Sequence, residues 1–317
     1  SIGGGGAAEL KEQIEGDLST LKSVASSVGF AAITGEDDVF ALPNRNFRLL
    51  NLHSRPFVLG DEVRDWCVSP SAEVAFPYKE SAALPAIAPD PSSSAIHHFW
   101  QLRTNLRNRL MFGKSPEQAG LNWWELSFIS RDRLAANYLI TFAEVATHNH
   151  FVLDRGGKVF KQTAPVIKLP AGSSEDEHLG LLGLLNSSVA CFWLQQVCHN
   201  KGRPGADVAG ADERYEMRYA INASNVAEFP LCPDRPLASA RQLDALAQQL
   251  ARVQPAALLA SDLIAGGAYP ASARGHFDPQ NPAAAPALPS RASLDAARTQ
   301  AEQLRGQMIA WQEELDW

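Results

Sequence analysis

Two imidazoles stand two residues apart at His148 and His150, with Asn149 between them, just ahead of the apolar run Phe151-Val-Leu. Such a triplet invites comparison with metal-dependent nucleases. Those enzymes, however, gather their ligands from separated positions around the ion. At the start of a strand the triplet predicts side chains that hydrogen-bond a turn or face a partner, and an independent nuclease built on His148 and His150 is the weaker reading. Cys191, Cys198 and His199 offer a second ligand set, but no paired Cys-x-x-Cys accompanies them, so they read as ordinary thiols of a reducing cytoplasm. No Gly-x-Ser-x-Gly elbow, His-Glu-x-x-His helix or Walker-type phosphate loop occurs. Transfer of a methyl group to an exocyclic amine requires a Pro-Pro-aromatic loop and a glycine turn after a strand. The chain has no Pro-Pro dipeptide, and Gly3 to Gly6 follow no strand. Catalysis by this chain alone is not expected.

The cations suggest binding instead. Phe99-Trp100 precede Arg103, Arg107 and Arg109, with Lys114 just beyond. Arginine forks on such a stretch can meet base edges or phosphates, although an apolar helix face backed by a solvated basic one explains the same pattern. From Thr147 to Pro170, two apolar runs flank Asp154-Arg-Gly-Gly157, which predicts a hairpin. Arg155, Lys158, Lys161 and Lys168 would give it one basic edge suited to a phosphate backbone. Lys201 and Arg203 add charge on a glycine-rich loop. The 317-residue chain carries a net charge of −7, yet residues 97–170 hold ten basic residues against five acids, a local balance of +5. Local charge governs contact with phosphates.

These groups need a scaffold, and 45% apolar content in 317 residues can fill one large core or two smaller ones. No uninterrupted apolar stretch is long enough to span a bilayer, and the N-terminus lacks the features of a secretory signal. A cytoplasmic protein with no membrane partner is expected. The opening Ser-Ile-Gly-Gly and the closing Gln312-Glu-Glu-Leu-Asp-Trp317, which stops inside a helical pattern, read as the ends of a fragment.

Apolar residues at three- and four-residue steps from Leu10 to Val28 predict a leading helix over 1–28 that ends near Gly29. Short strands follow at 30–33, 39–42, 56–59 and 74–78, then a proline-rich surface loop at 81–95. From Ile96 a helix is predicted, with Phe99, Leu102, Leu106 and Leu110 facing the core and Arg103 and Arg107 sharing another face. Strands are expected across 137–145 and 151–169. Ser174-x-x-Glu177 predicts a capping box opening a helical stretch that breaks near Asn186-Ser187 and ends about Cys198, and Tyr215 to Ile221 returns to a sheet. Beyond residue 236 the chain reads as a helical tail, interrupted by an Ala/Pro/Gly linker at 266–289. Leu294, Ala297, Ala301, Leu304, Met308, Trp311 and Leu315 then keep three-four spacing.

An ordered set of segments carries a resemblance. They are Gly29-Phe-Ala-Ala-Ile-Thr-Gly-Glu-Asp-Asp-Val-Phe40, Leu59-Gly-Asp-Glu-Val-Arg-Asp-Trp66, Phe76-Pro-Tyr78, Leu102-Arg-x-x-Leu-Arg-x-Arg109 and Trp123-Trp-Glu125, followed by Ala146-Thr-His-Asn-His-Phe-Val-Leu-Asp154, Leu184-Leu-Asn-Ser-Ser188 and His199-Asn-Lys-Gly202. Together they resemble the C-terminal, DNA-reading half of adenine-specific DNA methyltransferases of the PglX type, found in BREX phage-defence systems. Related restriction-modification enzymes share some of these elements. The resemblance implies a mixed α/β fold: a target-recognition domain over 29–235 with a mixed sheet and flanking helices, then a helical C-terminal segment over 236–317. It implies double-stranded DNA as partner, contacted through Arg103, Arg107, Arg109, Lys114, His148, His150, Arg155, Lys158, Lys161, Lys201 and Arg203. S-adenosylmethionine would bind the missing methyltransferase half, with no cofactor on this chain, and the parent protein would methylate adenine. The competing reading is a protein-interaction module that docks that half onto other phage-defence subunits.

Overall fold

A computed structural model describes residues 6–42, 46–47, 50, 52–81, 83–87, 90, 94–201, 217–254, 257–258 and 289–317. The expected linker at 266–289 lies almost wholly outside them, as does Arg203. The fold is mixed α/β, with several small sheets and a long C-terminal helix, as the sequence predicts. The chain divides into two units, Ser1–Ala240 and Arg241–Trp317.

The first unit is organised by a four-stranded antiparallel sheet in the order Ser27–Gly29, Val166–Lys168, Leu139–Phe142, Phe151–Asp154. Every residue of the last two strands is buried, Thr141 and Asp154 included, which accounts for their otherwise apolar composition. A second sheet runs Val159–Phe160, Ser54–Val58, Ala72–Ala75, Ala41–Leu42; its first pairing is parallel and the others antiparallel. Three smaller sheets complete the described strands.

Two expectations are corrected here. The leading helix does not reach Gly29. It spans Ala7–Glu15 and stops at Gly16, whose φ of 42° no longer continues the helix. After a short turn of helix at Leu21–Val24, Ser27–Gly29 is a strand paired with Val166–Lys168, so Val28 belongs to a sheet and not to a helix face. Nor do residues 147–170 form a hairpin. Phe151–Asp154 pairs with Leu139–Phe142, whereas after the glycine turn Val159–Phe160 enters the second sheet beside Ser54–Val58. Gly156 and Gly157 supply the left-handed conformations that let the chain change sheets.

The expected capping box is present: Ser174 accepts from the Glu177 N–H, and the Glu177 carboxylate accepts from the Ser174 N–H at 2.7 Å. The helix Glu175–Leu185 breaks at Asn186-Ser187, and Ser187 caps a second helix, Ser188–Val197. Asn186 explains where the break sits. It exchanges two hydrogen bonds with the backbone of Phe151, at 3.0 and 2.9 Å, and so fastens the helix junction to the central sheet. In Leu59-Gly-Asp-Glu-Val-Arg64, a Cβ on Gly60 would lie 2.2 Å from the Thr163 carbonyl oxygen, so only glycine fits. Glu62 accepts from the Leu59 and Ser71 N–H groups at 2.9 and 2.7 Å.

In the second unit, Leu243, Leu246 and Ala247 are buried on the helix Leu237–Arg252. The long helix Arg291–Asp316 buries Ala297, Ala301, Leu304, Met308 and Leu315 along the expected stripe, while Leu294 and Trp311 are exposed.

Candidate nucleic-acid interface

Of the predicted DNA-contacting cations, those on the supposed basic edge are committed within the protein. Lys158 pairs with Asp154 at 2.5 Å, Lys161 with Asp37 at 2.5 Å and Lys168 with Asp132 at 3.1 Å. The lysines at 158 and 161 flank one sheet and Lys168 lies in another, so no single edge gathers them. Arg155 pairs with Glu175 at 2.6 Å. Burial pushes the Asp37 carboxyl up, but hydrogen bonds from Lys161 and Thr34 and the lysine's charge together bring it below the usual carboxylate range. Lys201 is exposed, and its backbone N–H donates to the Arg218 carbonyl at 2.8 Å.

The stretch from 94 to 124 behaves differently. The predicted helix is two short ones, Ser94–Gln101 and Arg103–Asn108, with Leu102 between them. Phe99 and Leu106 are buried as expected, but the chain leaves the helix at Arg109 in extended conformation. Helical spacing therefore ends there, and the last two assignments exchange places: Leu110 is 70% exposed and Arg109 is buried. The Arg109 guanidinium donates to the carbonyl oxygens of Leu106, Thr34, Trp123 and Glu125 at 2.7 to 2.9 Å. Burial lowers its pKa to about 10. All its donor groups face protein carbonyls, so Arg109 anchors this region from within.

Arg103 and Arg107 remain at the surface. The Arg103 guanidinium lies 4.7 Å over the ring of Trp100, which is 50% exposed. Arg107 lies 5.8 Å from the ring of Trp123 and pairs loosely with Glu117 at 3.8 Å. Trp100, Trp123 and Trp124 form an edge-to-face series with centroids 6.1 and 5.4 Å apart. Trp123 is buried, and Trp124 donates its Nε1–H to the Ile87 carbonyl; both tryptophans pack within the protein. Beyond Arg109, Met111 and Lys114 exchange backbone hydrogen bonds around a two-residue turn, Phe112-Gly113, with φ of 51° and 78°. Positive φ at both central residues is the primed geometry that favours Asn-Gly. Phenylalanine stands there instead, 78% exposed, with the exposed Lys114 beside it. Sequence spacing gave no sign of this tip, because the residue type argues against the turn.

The histidine triplet divides its work. Asn149 donates to the Leu185 and Ser187 carbonyls at 2.7 and 3.1 Å, satisfying the end of the Glu175–Leu185 helix. This is the turn-bonding role the sequence predicts. His148 is exposed and shares a 2.9 Å hydrogen bond with Thr147 through Nδ1. His150 is buried, and burial, followed by the charges of His148 and Arg64, lowers its pKa to about 3. Asp65, which sequence separation hides from the triplet, lies against it: its Oδ1 is 3.6 Å from His150 Nδ1.

Over an alignment of 320 residues, covering 98% of this chain, the sequence is 39% identical to the adenine-specific methyltransferase PglX of Streptomyces coelicolor. The chain is similar to the C-terminal region of PglX. It spans about a quarter of that relative, 24% of its length. The resemblance expected from the ordered segments is thus borne out. No family model matches the chain. Among solved structures, the type IIL restriction-modification enzyme MmeI in complex with DNA has a TM-score of 0.39 at 13% identity, over 90% of this chain and 33% of that one. The type IIG restriction endonuclease BpuSI has a TM-score of 0.45 at 11% identity, over 98% of this chain and 33% of that one. Among the described residues no helix is long and apolar enough to cross a membrane.

Proposed function

We propose that this chain reads the DNA target for an adenine-specific methyltransferase of a phage-defence system, and that it does so through the surface carrying Arg103, Arg107, Phe112 and Lys114. The observation that carries this reading is the placing of two guanidinium groups over the rings of an aromatic series, followed in the chain by an exposed apolar tip. Arg103 gives one donor to the Trp100 carbonyl at 3.1 Å and Arg107 turns its Nε towards Glu117, and a guanidinium over a ring has further edge donors that suit phosphates or guanine edges. An exposed aromatic ring beside cations suits a base face or a groove wall. The similarity to PglX supports a role in adenine methylation. In this reading the transferase chemistry and S-adenosylmethionine belong to a methyltransferase half outside this chain, whose residues supply recognition and no catalytic group.

The test is binding of a labelled mixed-sequence duplex across a salt series. Affinity is expected to fall with salt, the logarithmic slope growing by about 0.9 for each phosphate neutralised. Arg103→Ala combined with Arg107→Ala is expected to weaken binding about ten-fold, with thermal stability unchanged. Binding that is flat with salt, or unaltered in the double variant, overturns the proposal. The competing reading, docking onto other defence subunits, draws on the exposed Ile309 and Trp311 of the tail helix and Trp317 just beyond it. It is favoured if this chain associates with protein partners while showing no salt-dependent affinity for DNA.

A further inference from the structure

Asp65, His148 and His150 come from two distant chain segments, and their ligand atoms all lie within 4.8 Å of one another. We propose that these three side chains form a binding site for a divalent transition-metal ion of borderline softness, such as zinc, independent of the DNA-reading surface.

The geometry at each member supports this. Two donors about 2.1 Å from one tetrahedral ion lie roughly 3.4 Å apart. His150 Nδ1 and Asp65 Oδ1 are 3.6 Å apart, too long for a hydrogen bond and close to the spacing of two ligands on one ion. The present partner of that nitrogen is weak, a 3.4 Å contact from the Asp65 N–H. His148 uses Nδ1 with Thr147, which leaves Nε2 for a ligand bond, and its ring centroid is 4.1 Å from that of His150. A hydrogen bond on the other ring nitrogen is the usual way a ligating histidine is oriented. Because His148 is exposed, its ring can swing the remaining ångström without disturbing the core.

The backbone beneath the carboxylate is also unusual. Asp65 and Trp66 form the two-residue turn between the strands Val63–Arg64 and Cys67–Val68, with φ of 46° and 65°. Both are non-glycine residues in the left-handed region, and such strain gathers where a side chain must be aimed. Arg64, next to Asp65 in the chain, turns its guanidinium to the Gly60 and Val63 carbonyl oxygens at 2.7 and 2.6 Å. Two imidazoles and one carboxylate leave a fourth position for water, a donor set that suits zinc or cobalt and not magnesium or calcium.

The experiment is calorimetric titration of the whole chain with zinc, alongside the visible spectrum of the cobalt form. One saturable equivalent is expected, with cobalt bands free of intense thiolate charge transfer. His148→Ala and Asp65→Asn are each expected to weaken binding by about ten-fold or more, while the metal-free melting temperature stays as in the parent chain. Because both residues are exposed, these variants test the site without opening the core. Absence of saturable binding, a thiolate spectrum pointing to the cysteines, or undiminished affinity in both variants overturns the site. DNA binding plays no part in this readout, so the two proposals stand or fall separately.

Discussion

Lys158 Nζ lies 2.5 Å from Asp154 Oδ1, across a turn whose Gly156 N–H donates to the other carboxylate oxygen at 2.9 Å. The Asp154 side chain is only 1% exposed, so the lysine neutralises a charge the protein has taken out of water. A lysine that moved to a phosphate would strand that carboxylate, so Lys158 has a structural partner at a position that reads as a DNA contact.

Lys158→Met is therefore expected to lower unfolding stability by about 2 kcal/mol. This is less than the 3–5 kcal/mol of a fully buried pair, because the lysine itself is partly exposed. Lys158→Met combined with Asp154→Asn should recover part of the loss. Denaturant midpoints of the single and double variants give the coupling, and additive effects would contradict the pairing.

His178 is expected to give the stability an acid limb. It donates Nδ1–H to the Ser174 carbonyl at 2.7 Å, and its buried Nε2 has no hydrogen-bond partner among the described residues. Burial holds its pKa below the ordinary 6.5, against the Ser174 hydrogen bond and the nearby Glu177 and Glu175, which raise it. The unfolded chain then binds the extra proton first as pH falls. The contribution of neutral His178 is complete above pH 6.5 and is lost progressively below it. His178→Asn, which keeps a donor for Ser174, should show a shallower decline of the urea midpoint between neutral and mildly acid pH. An unchanged slope would sink this account.

Phe112 should trade stability against binding. A bulky residue in the left-handed region costs roughly 1–2 kcal/mol relative to one that tolerates it. Phe112→Asn, creating the preferred Asn-Gly turn, is expected to raise stability by about 1 kcal/mol while weakening the DNA affinity proposed above. A variant that gains stability and loses no affinity would show that the ring is incidental.

What could be read from the sequence follows from the range of the interactions. The Ser174–Glu177 cap, the break at Asn186-Ser187 and the stripe from Ala297 to Leu315 depend on neighbours within a turn or two of helix, and spacing reveals them. The turn at 154–157 was legible as a turn, but not the strand it delivers the chain to. Glycines specify a change of direction; the partner of Val159 is Phe57, about a hundred residues away. The exchange of Leu110 and Arg109 was hidden because a three-four pattern continues on paper after the helix has stopped. Asp65 meets His150 across 85 residues, and no periodicity links them.

Under the DNA-reading role proposed above, the anchoring of Arg109 has a consequence for how preferences could change. The chain is pinned at Arg109 through four buried carbonyls, and picked up again at Ser115, whose N–H and hydroxyl exchange bonds with Gln118 at 2.9 and 3.3 Å. Between these posts the tip from Leu110 to Lys114 closes on itself through Met111 and Lys114. Its outward side chains can be exchanged, lengthened or grafted from a relative without passing the alteration to the core. In the proposed role, the tip would then serve as an interchangeable cassette, where new preferences could accumulate one substitution at a time.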